Sequence, residues 1–352
     1  MTAYLRLLLL PFSLLYALVV SIRNWAYDQG LFRSTKFDLP VIVVGNLAVG
    51  GTGKSPLTEF LIRLLKNSYN IATLSRGYGR ETKGFIRVSP SDQAVQVGDE
   101  PLQFKTKYPE ITVAVCEDRV KGVKMLVKEH DVILLDDAFQ HRALTPGLSI
   151  LLFDYESLFK PRLLLPAGNF RDSFNERHRA NLVVVTKCPF PLSAEQRDEA
   201  LGRLELKANV FFSYLRYGVP YQLRQSERFE RPLTADLDVL LISGIANPAP
   251  LYQYVAANSR SVKLLAYPDH HTYNRKNVIS ILESFKGIRS EDKILLTTEK
   301  DYQRLKIFTE QAAFPVPVWI LPVEAAFDQK DHEQLSSIVF NYCGRYVRPQ
   351  IK

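Results

Sequence analysis

A glycine-rich segment is the feature of the sequence that most directly indicates chemistry. Residues 48–55 read AVGGTGKS, which matches the Walker A pattern except that Ala48 stands at the position of its first glycine. In such a segment backbone N–H groups surround phosphate oxygens, a lysine reaches the β- and γ-phosphates, and a serine ligates Mg²⁺. The segment therefore predicts that a nucleoside triphosphate and Mg²⁺ are bound by Val49, Gly50, Gly51, Thr52, Gly53, Lys54 and Ser55.

The residues on either side provide the context that this motif requires. The run VIVV at 41–44 is apolar and β-branched, as expected of a buried parallel strand. Pro56 suits the first turn of a helix, and apolar residues then recur at helical spacing at Leu57, Phe60, Leu61, Leu64 and Leu65. A strand, a glycine loop and a helix in this order direct the helix N-terminus towards a bound anion.

Two adjacent aspartates, Asp136 and Asp137, end a second apolar run at 132–135. A P-loop enzyme needs a carboxylate at such a strand end to orient its metal ion. Adjacent side chains point in different directions, so one can face Mg²⁺ while the other contacts water, substrate or a neighbouring loop. Aspartate pairs also occur in structural turns, but the upstream glycine loop favours a metal site formed by Ser55, Asp136 and Asp137. Which aspartate contacts the metal stays open.

Two further segments combine glycine with charge, SRGYGR at 75–80 and GDEP at 98–101, and both are predicted to be loops. An arginine beside glycine, such as Arg76, can present its donors to a phosphate. Asp99 can orient or deprotonate a hydroxyl nucleophile. Solvent-exposed turns would explain both segments equally well.

The composition describes a chain that folds, prefers acidic partners and suits a reducing compartment. Its 352 residues exceed one typical domain, and its 46% hydrophobic and 23% charged residues are near globular averages. The formal charge of +8 favours nucleotides, phosphorylated lipids or an anionic membrane surface. No nucleic-acid signature is found and no obligate protein partner is evident. The three cysteines have neither disulfide nor zinc-site spacing: Cys116, Cys188 and Cys343.

The N-terminal residues 7–22 are almost entirely apolar and lie between Arg6 and Arg23, with two aromatic residues just beyond. The run is shorter than the roughly 20 residues of a membrane span, and Pro11 would bend or shorten a helix. Its aromatic and basic flanks favour a helix anchored at a membrane interface. The alternative is a helix buried in the protein's own core. Whether the run spans or lies in the membrane stays open.

Short apolar runs alternate with helical or loop segments, the pattern of a mostly parallel α/β sheet covered on both faces. The predicted strands are 41–44, 71–74, 112–115, 132–135, 149–153 and 182–185, followed in a second α/β pattern by 239–242, 294–296 and 318–321. We therefore expect a membrane-associated helix, a P-loop kinase domain, a linker that can form a β-ribbon, and a smaller C-terminal α/β domain, at residues 1–27, 28–216, 217–236 and 237–352.

Several motifs together resemble the tetraacyldisaccharide 4′-kinase family of lipid A synthesis. They are, in chain order, VGNLAVGGTGKSP, LSRGYGR, VGDEP, the triplet EDR at 117–119, ILLDDAFQH and LLPAGNFRD. The likeness continues into the second half of the chain at 184–187, 243–248, 269–271 and 298–301.

The resemblance implies transfer of the γ-phosphoryl group of ATP to the 4′-hydroxyl of tetraacyldisaccharide 1-phosphate, the lipid A precursor, giving lipid IVA. It implies Mg²⁺ as a cofactor and a position at the cytoplasmic face of the bacterial inner membrane, peripheral or anchored by the N-terminal helix in the membrane lipid. Carried over to this sequence, the implied catalytic residues are Lys54, Asp99 and His270. Asp99 and His270 come from different predicted domains and are expected to meet when the two halves close over the substrates.

The resemblance also suggests four substrate contacts, at Arg76, Arg119, Arg171 and Asp172. Arg119 and Arg171 would alternatively pair with nearby carboxylates at the surface. Asp172 stands where the family more often has glutamate, and its shorter side chain argues against direct metal contact.

Two other functions fit part of the same sequence: a P-loop kinase of a soluble metabolite, and a membrane-bound nucleotide switch. Residues 185–188 read VTKC in place of the guanine-reading Asn-Lys-x-Asp tetrad, which disfavours a GTPase switch. Thr186 and Lys187 end a predicted strand where P-loop proteins often meet the nucleotide base, although a plain strand-to-turn junction is an equal alternative.

Overall fold

The described residues form two β-sheets, of nine and six strands, with helices packed on their faces. The structure is a computed structural model, and it describes residues 6–206, 208–224, 227–310 and 315–346. The mostly parallel α/β architecture expected from the sequence is confirmed.

The larger sheet, called here the first sheet, contains the strand that precedes the glycine-rich segment. Its strands are β1 (Val41–Asn46), β2 (Ile71–Ser75), β3 (Ile86–Arg87), β4 (Thr112–Val115), β5 (Val132–Asp136), β6 (Leu148–Asp154), β7 (Leu182–Thr186), β8 (Asn209–Tyr217) and β15 (Val323–Phe327). Their spatial order is β15-β8-β7-β6-β1-β5-β2-β4-β3, and every pair is parallel except β15 with β8 and β3 with β4. The loops after β1, β2, β4, β5 and β7 therefore open at one carboxyl edge.

The smaller, second sheet consists of β9 (Tyr221–Arg224), β10 (Glu227–Glu230), β11 (Asp238–Ser243), β12 (Ser261–Ala266), β13 (Lys293–Thr298) and β14 (Val318–Leu321). Its order is β10-β9-β14-β13-β11-β12. The four strands from β14 to β12 are parallel, whereas β9 and β10 form an antiparallel ribbon within residues 217–236. This sheet also presents its parallel carboxyl ends at one edge.

Ten helices connect or cover these strands in the part of the chain described. They are α1 (Leu10–Asp28), α2 (Lys54–Leu65), α3 (Ala94–Val97), α4 (Asp99–Lys107), α5 (Arg119–Leu126), α6 (Ala194–Leu204), α7 (Ala249–Ala257), α8 (Arg275–Lys286), α9 (Glu299–Glu310) and α10 (Gln329–Gly344), with short 3₁₀ helices at Tyr155–Phe159 and Phe174–Arg179.

Successive side chains of the central strands point to opposite faces, so each sheet has a separate hydrophobic core on each of its faces. In β1, Ile42 and Val44 pack with α2, whereas Val41 and Val43 pack in the cluster on the opposite face. Because both faces of a parallel sheet are buried, such strands are apolar throughout, which explains why the runs at 41–44 and 132–135 were recognisable in the sequence.

The C-terminal part of the chain is divided between the two sheets. Strands β11 to β14 belong to the second sheet, but β15 pairs with β8 in the first sheet, and α10 packs there through Leu335 and Val339. The division into 1–27, 28–216, 217–236 and 237–352 remains a prediction. We propose that the returning β15 and α10 belong structurally with the kinase domain.

A buried charged cluster lies where the two sheets' helices meet. Lys107 of α4 pairs with Glu59 of α2 at 2.6 Å and with Glu299 of α9 at 2.8 Å. The two carboxylates are 1% and 4% exposed. One lysine therefore holds two buried carboxylates, one from each side of the interface.

Helix α1 turns three polar side chains towards the protein and leaves most of its large apolar side chains exposed. Ser13, Tyr16 and Asn24 hydrogen-bond to Leu164, Arg171 and Asp172 at 3.0, 2.9 and 2.9 Å. The exposed large apolar side chains are Leu10, Phe12, Leu14, Leu15, Leu18, Val19, Ile22 and Trp25. The alternative of a helix buried in the protein's own core is therefore wrong. Within the described ranges, none of the helices has the length and apolar character needed to cross a membrane.

Candidate active site

The glycine-rich segment forms a loop between β1 and α2, at the carboxyl edge of the first sheet. Asn46 ties it together by donating to Thr52 Oγ1 at 2.8 Å. Gly53 has φ +81°, and a Cβ there would lie 3.3 Å from Thr186, so both conformation and space favour glycine. Lys54 Nζ lies 3.4 Å from Asn46 Oδ1 and 3.7 Å from Asp137 Oδ1. The loop thus presents Lys54 and Ser55 at the N-terminus of α2, a ready site for phosphate.

Asp136 and Asp137 lie beside this loop in contrasting environments. Asp136 is 1% exposed and accepts a hydrogen bond from Thr58 Oγ1 at 3.1 Å. Burial, then the charges of Glu100 and Asp137, raise the pKa of Asp136 to about 7. Asp137 has φ +51° and forms a two-point ion pair with Arg171. Although burial opposes it, Lys54 and then Arg171 hold the pKa of Asp137 below its usual value.

The residues predicted to bind Mg²⁺ fit that ion. Hydroxyl and carboxylate oxygens are the ligands it prefers, and it usually keeps several waters and phosphate oxygens rather than relying on a protein cage. Accordingly, no group of three or more His, Cys, Asp or Glu in the described ranges is arranged to hold a metal alone. The repulsion among Asp136, Asp137 and Glu100 that raises the pKa of Asp136 is what a divalent cation would relieve.

Asp99 and His270 lie together between the two sheets. His270 Nδ1 is 3.2 Å from Asp99 Oδ2, and Arg304 of α9 pairs with the same oxygen. Lys300 Nζ is 3.2 Å from His270 Nε2, and Arg304 Nη2 is 3.2 Å from His270 Nδ1, so a cationic group flanks each ring nitrogen. Burial raises the pKa of Asp99, but the His270 hydrogen bond and the charges of Lys300 and Arg304 outweigh it, so the pKa lies well below its usual range.

Glu100 joins this pair to the phosphate-binding loop. Its Oε1 accepts from Ser55 Oγ at 2.9 Å and from Lys300 Nζ at 3.2 Å. A continuous set of polar contacts therefore runs from Ser55 through Glu100 and Lys300 to His270, crossing from the first sheet to the second.

The predicted loop at 98–101 is wrong at one point, because α4 begins at Asp99. Gly98 has φ +92° and separates α3 from α4. Acidic residues and a proline favour the first turn of a helix, so Asp99, Glu100 and Pro101 suit this start. The helix fixes Asp99 more firmly than a loop would.

The three candidate arginines lie at the same carboxyl edge. Arg119 is 6% exposed and donates to the backbone oxygens of Glu117 at 2.8 Å and Asp137 at 3.2 Å. Arg171 pairs with Asp137, the carboxylate pairing that the sequence allowed as an alternative. Arg76 is exposed and has no hydrogen bond or ion pair to another described residue, although its charge acts on Arg119. Arg76 is thus the arginine of the three available for an incoming anion.

Asp172 lies apart from the phosphate-binding loop and against α1. It is fully buried, and its Oδ1 accepts from Asn24 Nδ2 and from the Ser173 amide, both at 2.9 Å. These contacts give it a structural role in holding α1 on the site loops.

Sequence reasoning assigned no role to Glu100, Lys300 or Arg304. Lys300 and Arg304 are four residues apart on α9 and so lie on one face of that helix. This spacing is visible in the sequence, but the face they share meets residues 200 and 205 positions earlier. Only the tertiary fold identifies their partners.

Fold and site together define a P-loop phosphotransferase. A sequence model of the tetraacyldisaccharide-1-P 4′-kinase family matches residues 5–340. The chain belongs to this family.

Individual relatives agree with this assignment. The chain is 40% identical to a tetraacyldisaccharide 4′-kinase of Bacteroides thetaiotaomicron, over 97% of this chain and 94% of the relative. It is 42% identical to a tetraacyldisaccharide 4′-kinase of Flavobacterium johnsoniae, over 92% of this chain and 93% of the relative. The crystal structure of LpxK from Aquifex aeolicus in complex with ATP has a TM-score of 0.73 and 29% identity, covering 96% of this chain and 99% of that one.

Proposed function

We propose that this chain transfers the γ-phosphoryl group of ATP to the 4′-hydroxyl of tetraacyldisaccharide 1-phosphate, the lipid A precursor, giving lipid IVA. The observation that carries the proposal is the position of Asp99 and His270, joined through Lys300 and Glu100 to Ser55 of the phosphate-binding loop. This arrangement provides a place for an alcohol acceptor beside the terminal phosphate.

In the proposed reaction the 4′-oxygen forms a bond to the γ-phosphorus while the bond from that phosphorus to the β,γ-bridging oxygen breaks, and ADP leaves. Lys54 offsets charge on the phosphates. Ser55, Asp136 and Asp137 would hold Mg²⁺, which would supply further neutralisation. The hydroxyl proton passes to Asp99. Because the pKa of Asp99 is held low, its main contribution is to orient the hydroxyl, and it takes up the proton late.

The contacts of Asp99 leave one of its carboxylate oxygens able to accept a further hydrogen bond, from the sugar hydroxyl. Its Oδ1 accepts the Glu100 amide at 3.0 Å, and a carboxylate oxygen has a second lone pair for the sugar hydroxyl. His270 and Arg304 bind Oδ2 and hold the carboxylate in place. We further propose that the exposed Arg76 contacts a phosphate of either substrate, while Arg119 and Arg171 keep Asp137 in position.

The direct test is to incubate the full chain with γ-³²P-labelled ATP, Mg²⁺ and tetraacyldisaccharide 1-phosphate, and to locate the label. Label in the extracted lipid is expected, and a matched lipid lacking the 4′-hydroxyl should remain unlabelled. Label only in free phosphate would indicate a nucleotide switch. Label in a soluble product from added cell metabolites, with none in lipid, would indicate a kinase of a soluble metabolite.

We propose that α1 docks on the cytoplasmic face of the inner membrane with its exposed apolar side. A row of exposed large apolar side chains on one helix is typical of interfacial membrane binding, and ATP is available on that face. Deleting the helix would also remove Tyr16 and Asn24 from the site loops, so surface substitutions are the cleaner test. Leu14→Glu with Leu18→Glu should reduce flotation with anionic vesicles, whereas Ile279→Glu, on exposed α8, should not. Unchanged flotation of the double variant would contradict this docking.

A further inference from the structure

Two aromatic side chains lie face to face at the carboxyl edge of the first sheet. The rings of Phe190 and Tyr214 have centroids 4.2 Å apart and planes inclined by 31°. Phe190 is 68% exposed, and it belongs to the loop between β7 and α6. An exposed aromatic of this size contributes little to the core, and its close ring partner among the described residues, Tyr214, lies on the next strand of the sheet.

The loop that carries Phe190 is fastened to the phosphate-binding loop. Thr186 Oγ1 donates to the Thr52 carbonyl at 2.8 Å, and Lys187 Nζ donates to the Gly51 carbonyl. Lys187 has φ +55°, so the chain turns sharply there. Its ammonium also pairs with Asp154 at 2.9 Å. The side chain of Lys187 therefore extends from the base of the Phe190 loop to the phosphate-binding loop.

A backbone hydrogen bond places the two aromatic residues on neighbouring strands. The Cys188 amide donates to the Ser213 carbonyl at 2.9 Å, so the chain is attached to β8 just before Phe190 and just before Tyr214. The order β8-β7-β6-β1 puts β7 two strand positions from the phosphate-binding strand, about 10 Å at the usual spacing. A nucleoside triphosphate whose phosphates lie on Lys54 can span this distance.

We propose that Phe190 and Tyr214 form the stacking surface for the purine base of ATP, with Lys187 lying between base and phosphates. The inference rests on the proposed function, since it deepens the nucleotide half of the same site. Aromatic faces stack any base. Residues 187–193 read KCPFPLS, which has no carboxylate to read a guanine edge and two prolines without N–H groups. Recognition here therefore depends on stacking rather than on hydrogen bonds to the base from this loop.

The test compares two probes on the full chain, Mg-ATP and Mg-tripolyphosphate, by direct binding measurement. Phe190→Ala should raise the Kd for ATP about 10-fold, within the range measured for loss of one base–aromatic stack, and leave that for tripolyphosphate unchanged. Phe190→Trp should restore ATP affinity. Since Phe190 is exposed, these variants should fold.

Tyr252→Ala is the matched control, because it removes a 38%-exposed aromatic from α7 of the second sheet, and it should change neither Kd. Equal ATP affinity in Phe190→Ala and the wild type would overturn the inference, as would a parallel loss of tripolyphosphate binding. A wild-type chain that binds ATP through this surface but leaves the lipid unlabelled would defeat the proposed function and support the stacking site. The two failures are therefore distinguishable.

Discussion

The phosphate-binding half of the site comes mainly from one short stretch of the first sheet, whereas the half that holds the acceptor combines Asp99 and Glu100 of α4 with separate segments of the second sheet. Asn46 to Ser55 follow each other directly, and Asp136 and Asp137 join them from one neighbouring strand. On the second sheet, His270 comes after β12, and Lys300 and Arg304 lie on α9 after β13. Phosphate binding is thus a property of local backbone geometry, and positioning the acceptor hydroxyl is a property of how the two sheets meet.

The largest expected effect tests the phosphate-binding half. Lys54→Ala should lower phosphoryl transfer by about 10³-fold or more, the scale on which one cationic group acts on a transferring phosphoryl group. The measurement is the rate of lipid labelling from γ-³²P-ATP. Lys66→Ala, beyond the other end of α2, removes a surface lysine paired with Glu110 and serves as the control. Near-normal turnover in Lys54→Ala would contradict the phosphate-binding role.

The acceptor half, formed where the two sheets meet, should show a smaller effect, and Asp99 and His270 should behave as a unit. Asp99→Ala should lower turnover by roughly 10²–10⁴-fold, the usual range for a positioned proton acceptor, with nucleotide Kd nearly unchanged. His270→Ala should cost less, because His270 acts on the hydroxyl through Asp99. The double variant should cost less than the product of the two, since coupled residues are not additive.

The neighbouring histidine provides the control for this series. His271 contacts Asn277 at 3.1 Å and stacks on Tyr267, away from Asp99, so His271→Ala should leave turnover close to normal. Full activity in Asp99→Ala would contradict the role of Asp99 in positioning the acceptor hydroxyl. Strictly multiplicative losses in the double variant would show that Asp99 and His270 act independently.

The same contrast explains what the sequence could predict. The glycine loop and strands β1, β5 and β7 were recognisable because both a phosphate-binding turn and a doubly buried strand leave a contiguous pattern. Strand β12 was not predicted, because SVKLLA lies at a sheet edge with no fully buried residue. Arg304 and Lys300 had no assigned role, because their partners Asp99 and Glu100 are 205 and 200 residues away in sequence. Asp99 is a candidate from its glycine-containing segment and from the family resemblance, but its place at the start of α4 is not predicted by either.

The smallest expected effect concerns the stability of the contact between the sheets. Burial and the charge of Glu59 raise the pKa of Glu299 to about 7, despite the opposing charge of Lys107. The Oε2 atom of Glu299 is buried and has no partner among the described residues, which suits a proton on that oxygen. In the unfolded chain a glutamate has its ordinary pKa of 4.5. Between these values the folded state therefore binds more protons than the unfolded state, and the free energy of unfolding falls as pH rises from about 4.5 to about 7.

Glu299→Gln should remove that decline, because a neutral amide of the same shape resembles the protonated carboxyl. At pH 8 we expect the variant to be more stable than the wild type, on the order of 1 kcal/mol, and at pH 5 the two should be nearly equal. The measurement is urea unfolding at both pH values. Lys107→Met is the companion variant: it leaves Glu59 and Glu299 without their shared cation, so it should destabilise the protein by roughly 3–5 kcal/mol. If Glu299→Gln instead lost stability equally at both pH values, Glu299 would be charged in the folded state at both. The contact between the two sheets would then depend on the ion pair of Glu299 with Lys107.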